Sequence, residues 1–347
     1  MSTPPNGLGV VELDPFDDAA FAAWHHVYTV AETHELGDVA TAWQLEEVRA
    51  LMQRDGTTAW VGGWAALLDG RTVGVGWMRT PLRDNLELAE LTVHVLPELR
   101  RQGIGSAVLS HLEQVARQRG RRILNSLASW AYGAGSDAAG GGSGPGFARA
   151  SGFDLALSEV QRELTLPVDE ALLVALADDA ARYHPAYVLR SWSGPVPDDL
   201  LHGWAEVTSS LATEAPTGEL ELEPEVVSAE AVREHEETVE RQGRTKYNTV
   251  AISPSGEVVA YSDLATTVHE PGRAYQWGTL VRREHRGHRL GVAVKVANLR
   301  LLQRERPDVT RLTTYNAEVN SHMIGVNEAL GFRPVARLGD FQKKLDG

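Results

Sequence analysis

The chain contains one strand–turn–helix pattern twice, and any fold assigned to it must accommodate both copies. The first copy is centred on the turn Arg100-Arg101-Gln102-Gly103-Ile104-Gly105. Alternating apolar residues from Leu91 to Val95 predict a strand before this turn. Apolar residues at helical spacing from Ile104 to Val115 predict a helix after it. A glycine-containing turn of this kind aims several unpaired backbone N–H groups at one point, so the pattern predicts an anion site at a helix start.

The second copy of the turn is Arg286-Gly287-His288-Arg289-Leu290-Gly291, which lies 186 residues after the first. A further matching pair, Gly152-Phe153 and Gly331-Phe332, is separated by 179 residues. A glycine-rich stretch at 133–146 accounts for the extra residues of the first copy. That stretch lacks the Gly-Lys-Ser/Thr ending of a P-loop, so we interpret it as a flexible loop. The spacing therefore predicts a tandem duplication of one domain plan.

From this pattern we predict an α/β (α+β) fold with two domains, each a mixed, largely antiparallel sheet flanked by helices. The predicted ranges are 1-167 for the first domain, 168-185 for a helical connector and 186-347 for the second domain. In the first domain the apolar residues change faces between Leu88 and Leu91, which predicts a β-bulge near Ala89-Glu90.

The composition of the chain excludes several classes of function. It has no cysteine, so disulfides, thiolate metal sites and cysteine nucleophiles are ruled out. Its formal net charge of -14 argues against nucleic acid or an anionic membrane surface as the main partner. The N-terminus shows no leader pattern, and no apolar run reaches the roughly 20 residues that span a bilayer. We therefore expect a cytoplasmic protein without a metal centre.

Each half of the chain resembles a GNAT-type, acyl-CoA-dependent N-acetyltransferase domain. The family's pyrophosphate motif is Gln/Arg-x-x-Gly-x-Gly/Ala between its fourth strand and the next helix, and Arg100-x-x-Gly103-x-Gly105 matches it in full. A second family feature, an Asn followed by a short helix and Leu-Gly-Phe, is matched from Asn320 to Phe332. The resemblance covers nearly the whole chain and is to the tandem two-domain type, with an architecture like that of mycothiol synthases.

This resemblance implies that acetyl-CoA is the co-substrate and that both turns hold its pyrophosphate. The residues it implies for cofactor binding are Val93, Val95, Arg100, Arg101, Gln102, Gly103, Ile104, Gly105, Ser106, Val281, Arg286, Gly287, His288, Arg289, Leu290, Gly291 and Asn320. The second turn departs from the motif, because Arg289 stands where the first glycine is expected. A non-glycine residue is tolerated there if φ is negative. The arginine then either adds a contact to a phosphate or marks a unit that has lost the cofactor.

The resemblance also implies direct transfer of the acetyl group to an amine in a ternary complex, without an acyl-enzyme. In this family an amide of the fourth strand stabilises the thioester oxygen. The candidates for that amide are Val93 or Val95 in the first domain and Leu280 or Val281 in the second.

Carboxylates are the expected acceptors of the proton that the ammonium of the substrate must lose. The candidates are Glu90 at the predicted bulge of the first domain and Glu318 in the second, with Asp263 as a further one. The alternative for each is an ordinary solvated surface carboxylate.

The group that protonates the leaving thiolate is left open by the sequence. Many family members have a tyrosine on the helix before Gly-Phe, but Ala148 and Asn327 occupy that position here. Tyr132 and Tyr315 lie at loop positions that allow a substitute role, and water is the remaining proton donor.

We therefore predict a GNAT-family N-acetyltransferase that moves an acetyl group from acetyl-CoA to a primary amine of a small molecule. A thiol-precursor amine and an aminoglycoside-type antibiotic fit as acceptors, and a protein N-terminus is an alternative. The competing hypothesis is a CoA-binding sensor or scaffold in which one or both domains are inactive. We expect no nucleic acid or membrane partner, and an intramolecular pseudo-dimer within a monomeric chain. The sequence does not decide which domain is active.

Overall fold

The structure is a computed structural model that describes residues 3–54, 56–133 and 142–345. Most of the glycine-rich stretch, 134–141, lies outside the described residues. The strands are β1 (Gly9–Glu12), β2 (Ala59–Leu68), β3 (Arg71–Pro81), β4 (Leu88–Val95), β5 (Ile123–Ala131), β6 (Asp154–Thr165), β7 (Val188–Ser193), β8 (Arg244–Ile252), β9 (Val258–Thr267), β10 (Arg273–Val281), β11 (Arg311–Ala317) and β12 (Arg333–Lys344). The helices are α1 (Asp18–Leu36), α2 (Leu45–Met52), α3 (Ile104–Gln118), α4 (Ser143–Ala150), α5 (Glu170–Ala181), α6 (Asp198–Ser209), α7 (Leu211–Glu214), α8 (Ala229–Arg241), α9 (Leu290–Glu305) and α10 (Ser321–Leu330). In the part of the chain that is described, no helix is long and apolar enough to cross a membrane.

Two units divide the chain, and neither is one continuous segment. The first comprises Met1–Glu159, Gly218–Glu221 and Ala336–Gly347, and the second comprises Val160–Thr217 and Leu222–Val335. Strands β6 and β12 each contribute residues to both units. The predicted ranges 1-167 and 186-347 describe how the duplication is laid out along the sequence, and they stay a prediction. The compact units of the structure are assembled from different segments.

The sheet of the first unit has the strand order β1-β2-β3-β4-β5-β12. Neighbouring strands are antiparallel except β4 and β5, which are parallel. Helix α3 packs on one face through Ile104, Val108 and Leu112, whereas α1 and α2 cover the other face. The close approach of α3 requires glycine on β3, because a Cβ at Gly76 would lie 2.8 Å from Val108 Cγ1. The predicted mixed, largely antiparallel sheet is confirmed.

The predicted bulge near Ala89-Glu90 is wrong for the ladder between β3 and β4. The register is regular over six residue pairs, from Arg79 opposite Glu90 to Gly74 opposite Val95. β4 begins at Leu88, and Leu88, Ala89 and Leu91 are all buried. Both faces of the strand are therefore covered here, so a change in the parity of apolar residues does not indicate a slip in register.

The second unit repeats the plan of the first. Its strand order is β7-β8-β9-β10-β11, and Val160–Thr165 of β6 follows next to β11. Strands β7 to β10 are antiparallel neighbours and β10 and β11 are parallel. Here a register shift does occur, between Gln276 and Thr279 of β10. Both units therefore consist of four antiparallel strands and a parallel fifth, with the turn and its helix between strands four and five, as the repeat predicts.

Candidate acyl-CoA site

The first turn connects β4 to α3 through two residues with left-handed backbone. Arg101 and Gly103 have φ of 67° and 81°, and α3 begins at Ile104. Because the first amides of a helix have no intrahelical acceptor, the N–H groups of Ile104, Gly105 and Ser106 project from this end. The positive end of the helix dipole lies at the same place, so the turn has the geometry of an anion cradle.

The side chain of Arg100 is bound to the protein rather than directed to the cradle. Its Nη1 donates to Glu35 Oε1 on α1 and to Ser143 Oγ on α4, both at 2.8 Å. Its Nε and Nη2 donate to the carbonyl oxygens of Val95 and Ala31 at 3.4 and 3.3 Å. Arg100 therefore holds β4, α1 and α4 together around the turn.

A cavity of about 530 Å³ opens between β4 and β5. The parallel ladder of these strands ends at Leu91 and Ser126, after four residue pairs, although both strands continue. Residues 93–95 and 127–129, which lie beyond the ladder, line the cavity together with residues of α1 and α4. Where two neighbouring strands separate, their facing backbone groups need other partners. The volume is in the range of sites for small molecules and cofactors.

The cavity is continuous with the cradle. Arg101, Gly103, Gly105 and Ser106 are among its lining residues. Ser151, at the end of α4, also lines it and is only 4% exposed, yet its Oγ has no hydrogen-bond partner in the described part of the chain. An unsatisfied buried hydroxyl is costly unless a ligand or water supplies the missing bond. The residues present thus fit a long ligand with an anionic group at the turn.

Two titratable groups in the cavity have strongly altered pKa values. Burial raises the pKa of Glu32, on α1, to about 7. Burial, together with the positive charge of Arg100, lowers the pKa of His94 to about 4. His94 is therefore neutral at pH 7, whereas Glu32 exchanges its proton near that pH. Such values are frequent at functional sites.

Most of the cofactor-binding residues predicted in the first unit do line this cavity, but the predicted base does not. Val93, Val95 and Arg100 line it in addition to the turn residues named above, whereas the Ile104 side chain is in the core and Gln102 is exposed. The carboxylate of Glu90 is 2.8 Å from the guanidinium of Arg79 and is not among the lining residues.

Sequence reasoning missed the wall that α1 contributes. Tyr28, Glu32 and Glu35 follow one another at spacings of four and three residues, which places them on one side of the helix. This spacing was available in the sequence, but no motif connects it with the distant turn at Arg100.

The second turn repeats the contacts of Arg100 with different residues. Arg286 Nε donates to the carbonyl oxygen of Val281 at 3.3 Å, and its Nη2 donates to Glu214 Oε2 at 2.7 Å. Gly287 and Arg289 are the two residues with positive φ, at 87° and 52°. Helix α9 begins directly after Arg289. The backbone plan of the first turn is therefore present again.

The condition of a negative φ at Arg289 is not met. Its backbone is left-handed, and its guanidinium is paired with the Asp179 carboxylate and lies 4.4 Å from the centre of the Tyr183 ring. His288 Nδ1 lies 2.9 Å from the carbonyl oxygen of Tyr183. The side chains of this turn thus contact α5 and the segment after it. Leu290 is in the core and Gly291 is also buried.

The register shift on β10 exposes an amide that the protein itself satisfies. Gly278 N–H donates to Asp263 Oδ1 at 2.7 Å, and Asp263 Oδ2 is 2.7 Å from Lys246 Nζ. The ammonium of Lys246 lies 5.1 and 5.5 Å from the ring centres of Trp204 and Trp277. A carboxylate held in this way is a poor candidate for a general base, because it already neutralises a buried cation.

The other residues predicted in the second unit have local structural contacts. Asn320 is the N-cap of α10, where its Oδ1 accepts from Met323 N–H at 3.2 Å. Glu318 follows β11 and is half-buried. Leu280 and Val281 pair with Tyr261 and Ala260 of β9.

Comparisons with known proteins agree with this geometry. Residues 16–134 match the model of the acetyltransferase (GNAT) family. The chain is similar to the solved structure of a tandem GNAT protein from the clavulanic acid biosynthesis pathway, with 27% identity, a TM-score of 0.77 and coverage of 98% of this chain and 99% of that one. It shares the fold of a GCN5-related N-acetyltransferase from Sphaerobacter thermophilus, with 15% identity, a TM-score of 0.65 and coverage of 99% and 97%. It also shares the fold of Saccharomyces cerevisiae N-myristoyltransferase with bound myristoyl-CoA, with 9% identity, a TM-score of 0.59 and coverage of 99% and 80%. The comparison with curated proteins gave no match.

The split between β4 and β5, the turn that follows and the match to the family model define a GNAT domain in residues 16–134, whose fold supports acyl-CoA-dependent acyl transfer in general. The whole chain is similar to a tandem GNAT protein, and its second unit repeats the strand plan of the first.

Proposed function

We propose that the first unit binds acetyl-CoA and transfers its acetyl group to a primary amine of a small molecule. The observation that carries this proposal is the continuity of one cavity with both the separated strands and the turn. The cavity is lined by Val93–Val95 of β4 and also by Gly103, Gly105 and Ser106. This arrangement suits a ligand that has a phosphate at one end and a reactive group at the other.

The residues of the first unit divide the task of binding. The N–H groups at the start of α3 would hold the pyrophosphate, and the exposed guanidinium of Arg101 adds a positive charge at the same place. The facing edges of β4 and β5 beyond Leu91 and Ser126 offer backbone groups to the amide-containing pantetheine arm. Ser151 Oγ offers one more hydrogen bond.

When bound, acetyl-CoA supplies an acetyl group on a thioester that an amine can attack without a covalent enzyme intermediate. An amide of Val93 or Val95 is proposed to stabilise the negative charge on the carbonyl oxygen. The C–N bond forms as the C–S bond breaks, and the sulfur leaves with the electron pair and takes up a proton. The chain has no cysteine, so acyl transfer through a thiol of this protein does not compete.

The second unit is the less favourable cofactor site in this proposal. The carboxylate of Asp179 pairs with Arg289 at its turn, and Asp263 occupies the amide of Gly278 at its bulge. The chain itself therefore supplies the negative group at the second turn and the hydrogen-bond acceptor at the bulge. The cofactor-binding role predicted for residues 286–291 and Asn320 stays a prediction that the stoichiometry of binding tests.

Isothermal titration with acetyl-CoA, followed by thiol release over a panel of amines, tests the proposal. Gly103→Asp adds bulk and negative charge at the first cradle and is expected to abolish binding to that unit. Arg289→Asp places the same charge at the equivalent position of the second turn. One site per chain that only Gly103→Asp removes is the expected result. Unchanged affinity in Gly103→Asp would overturn the assignment.

The amine panel separates the alternatives for activity. Small primary amines, an aminoglycoside and a peptide with a free N-terminus are offered at equal concentration with acetyl-CoA. Release of CoA with a small amine supports the proposal, and release with the peptide alone favours a protein N-terminus. Tight binding of acetyl-CoA without release on any amine would favour a sensor or scaffold.

A further inference from the structure

Glu32 lies on the wall of the cavity that faces β4. It follows Tyr28 by one helical turn on α1, and the Tyr28 ring meets the His94 ring edge-on, with 5.0 Å between ring centres. Because residues four apart share a helix face, Glu32 lies on the same side of α1 as this contact. Both Glu32 and His94 line the cavity. The carboxyl group is therefore placed beside the part of β4 that is proposed to bind the acetyl group.

The carboxyl of Glu32 differs from the other two carboxylates of this region in having no cationic partner. Glu35 is bound by Arg100, and Glu90 is paired with Arg79. In residues 3–54, 56–133 and 142–345, no hydrogen bond or ion pair joins Glu32 to another side chain. Its burial raises the pKa to about 7, and burial is the sole cause of that shift. A carboxylate without a partner keeps its lone pairs available for a proton.

The groups around Glu32 explain why no positive charge lowers the pKa that burial has raised. The charged or titratable groups that line the cavity with it are His94, Arg100, Arg101 and Glu35. His94 is neutral because its pKa is about 4, and the guanidinium of Arg100 is neutralised by Glu35. From α2, Arg49 pairs with Asp18 and lies over the Phe21 ring near the start of α1. Val48 of α2 and Val75 of β3 are apolar. From β5 and α4, the cavity receives Ser129 and Ser143, which do not titrate at these pH values.

We propose that Glu32 is the general base of the first unit, which accepts the proton that the acceptor's ammonium group must lose before it attacks. This inference rests on the proposed function of the same cavity. The ammonium gives one proton to the carboxylate of Glu32 and keeps the electron pair that forms the C–N bond. The second proton leaves the nitrogen as the C–S bond breaks, and it is taken up by the departing sulfur. The proton on Glu32 then passes to solvent, so each turnover releases one proton.

The pH dependence of kcat/KM in Glu32→Gln tests this role. A general base contributes about 10²- to 10⁴-fold, so kcat is expected to fall by at least about 100-fold. In the wild-type protein the carboxylate of Glu32 takes the proton of the bound ammonium, so kcat/KM is expected to fall below pH 7 and to be level between pH 7 and the pKa of the amine. Glu32→Gln can use only the free amine, so its log kcat/KM is expected to rise with unit slope over that same interval. Added formate is expected to restore part of the rate in Glu32→Ala.

Glu159→Gln is a matched control, because burial and the nearby Asp340 raise the pKa of Glu159 to about 7 as well. Glu159 does not line the cavity. In Glu159→Gln, kcat is therefore expected to stay within about threefold of the wild-type value, and the dependence of kcat/KM on pH is expected to be unchanged. A readout without turnover is the ¹³C NMR titration of glutamate carboxyls in the protein without acetyl-CoA. One resonance that titrates near pH 7 should disappear in Glu32→Gln and a different one in Glu159→Gln.

The outcomes separate this inference from the proposed function. Loss of kcat and of the level interval above pH 7, with acetyl-CoA affinity within about threefold of wild type, supports Glu32 as the base. A Glu32→Gln variant that keeps the wild-type rate and slope overturns it while the transferase function stands. A parallel loss of acetyl-CoA affinity also overturns it, because the role is then structural. If the wild-type protein acetylates no amine, both proposals fail together.

Discussion

Gly103 in the first turn and Arg289 in the second occupy the same position and adopt the same left-handed backbone, with φ of 81° and 52°. At the other left-handed position the residue types are exchanged, because Arg101 has φ of 67° and Gly287 has φ of 87°. Each copy of the turn therefore has one glycine and one arginine at its two left-handed positions. The backbone plan is retained in both units, although the residue that carries the strain differs.

Arg101→Gly and Arg289→Gly test the strain at these two positions. Left-handed backbone costs a non-glycine residue about 1–2 kcal/mol, and glycine relieves it at an entropic cost of roughly 0.5–1 kcal/mol. We expect Arg101→Gly to be neutral or to raise the free energy of unfolding by up to about 1 kcal/mol. Arg289→Gly also removes the contacts with Asp179 and Tyr183, so it should be less stable than Arg101→Gly by about 1 kcal/mol. Urea denaturation without acetyl-CoA measures both, and a more stable Arg289→Gly would contradict the role of these contacts.

The raised pKa of Glu32 predicts how stability depends on pH. Between its ordinary value of 4.5 and about 7, the folded chain holds a proton that the unfolded chain has lost. Stability is therefore lost as the pH rises through this window. Glutamine has no proton to lose, so Glu32→Gln should gain about 2–3 kcal/mol relative to wild type between pH 5 and pH 8. A stability difference that does not change with pH, measured by urea denaturation, would show that the carboxyl is not desolvated.

The buried pair of Lys246 and Asp263 predicts strong coupling in a double-mutant cycle. The two side chains are 9% and 8% exposed, and their charged atoms are 2.7 Å apart. Asp263→Asn leaves the buried ammonium without its counter-charge, and Lys246→Met does the same to the buried carboxylate. Each single substitution should lower the free energy of unfolding by about 3–5 kcal/mol. The double variant removes both charges and should cost less than either single one. Additive losses in urea denaturation would mean that the two charges act independently.

The elements that could be predicted from the sequence are those with local patterns. The turn at Arg100–Gly105, its strand and its helix follow from alternation, helical spacing and glycine positions within about 20 residues. The copy at Arg286–Gly291 has the same local pattern, and the repeat therefore predicted two mixed, largely antiparallel sheets. The short helix after Asn320 is present as the family feature implies, whereas the cofactor-binding role of Asn320 stays a prediction.

The features that could not be predicted depend on contacts between distant segments. Glu32 acquires its raised pKa only because α1 packs over the separated ends of β4 and β5, and nothing near Glu32 in sequence shows this. The pairing of Glu90 with Arg79 has no local signal in the sequence, because Arg79 lies on the neighbouring strand. The assignment of most of β12 to the first unit depends on its pairing with β5, more than 200 positions earlier, for which the sequence has no local signal.

The bond between Arg100 and Glu35 predicts a change that affects both stability and binding. Burial alone would raise the pKa of Glu35, but its hydrogen bonds with Ser143 and Arg100 and the charge of Arg100 outweigh burial and lower it. A lowered pKa stabilises the fold above the ordinary value of 4.5, and this contribution is lost as the pH falls through the lowered value. The pair is partly exposed, so Glu35→Gln should cost only about 0.5–1 kcal/mol at pH 7, and the cost should vanish in acid.

The same substitution should weaken acetyl-CoA binding several-fold, because Arg100 then holds α1 and α4 less firmly around the cradle. Glu214→Gln, which removes the equivalent partner of Arg286, is the matched variant in the second unit. If only the first unit binds acetyl-CoA, Glu214→Gln should change stability by a similar amount and leave the affinity as it is. Equal losses of affinity in the two variants, measured by isothermal titration, would instead mean that both turns hold the cofactor.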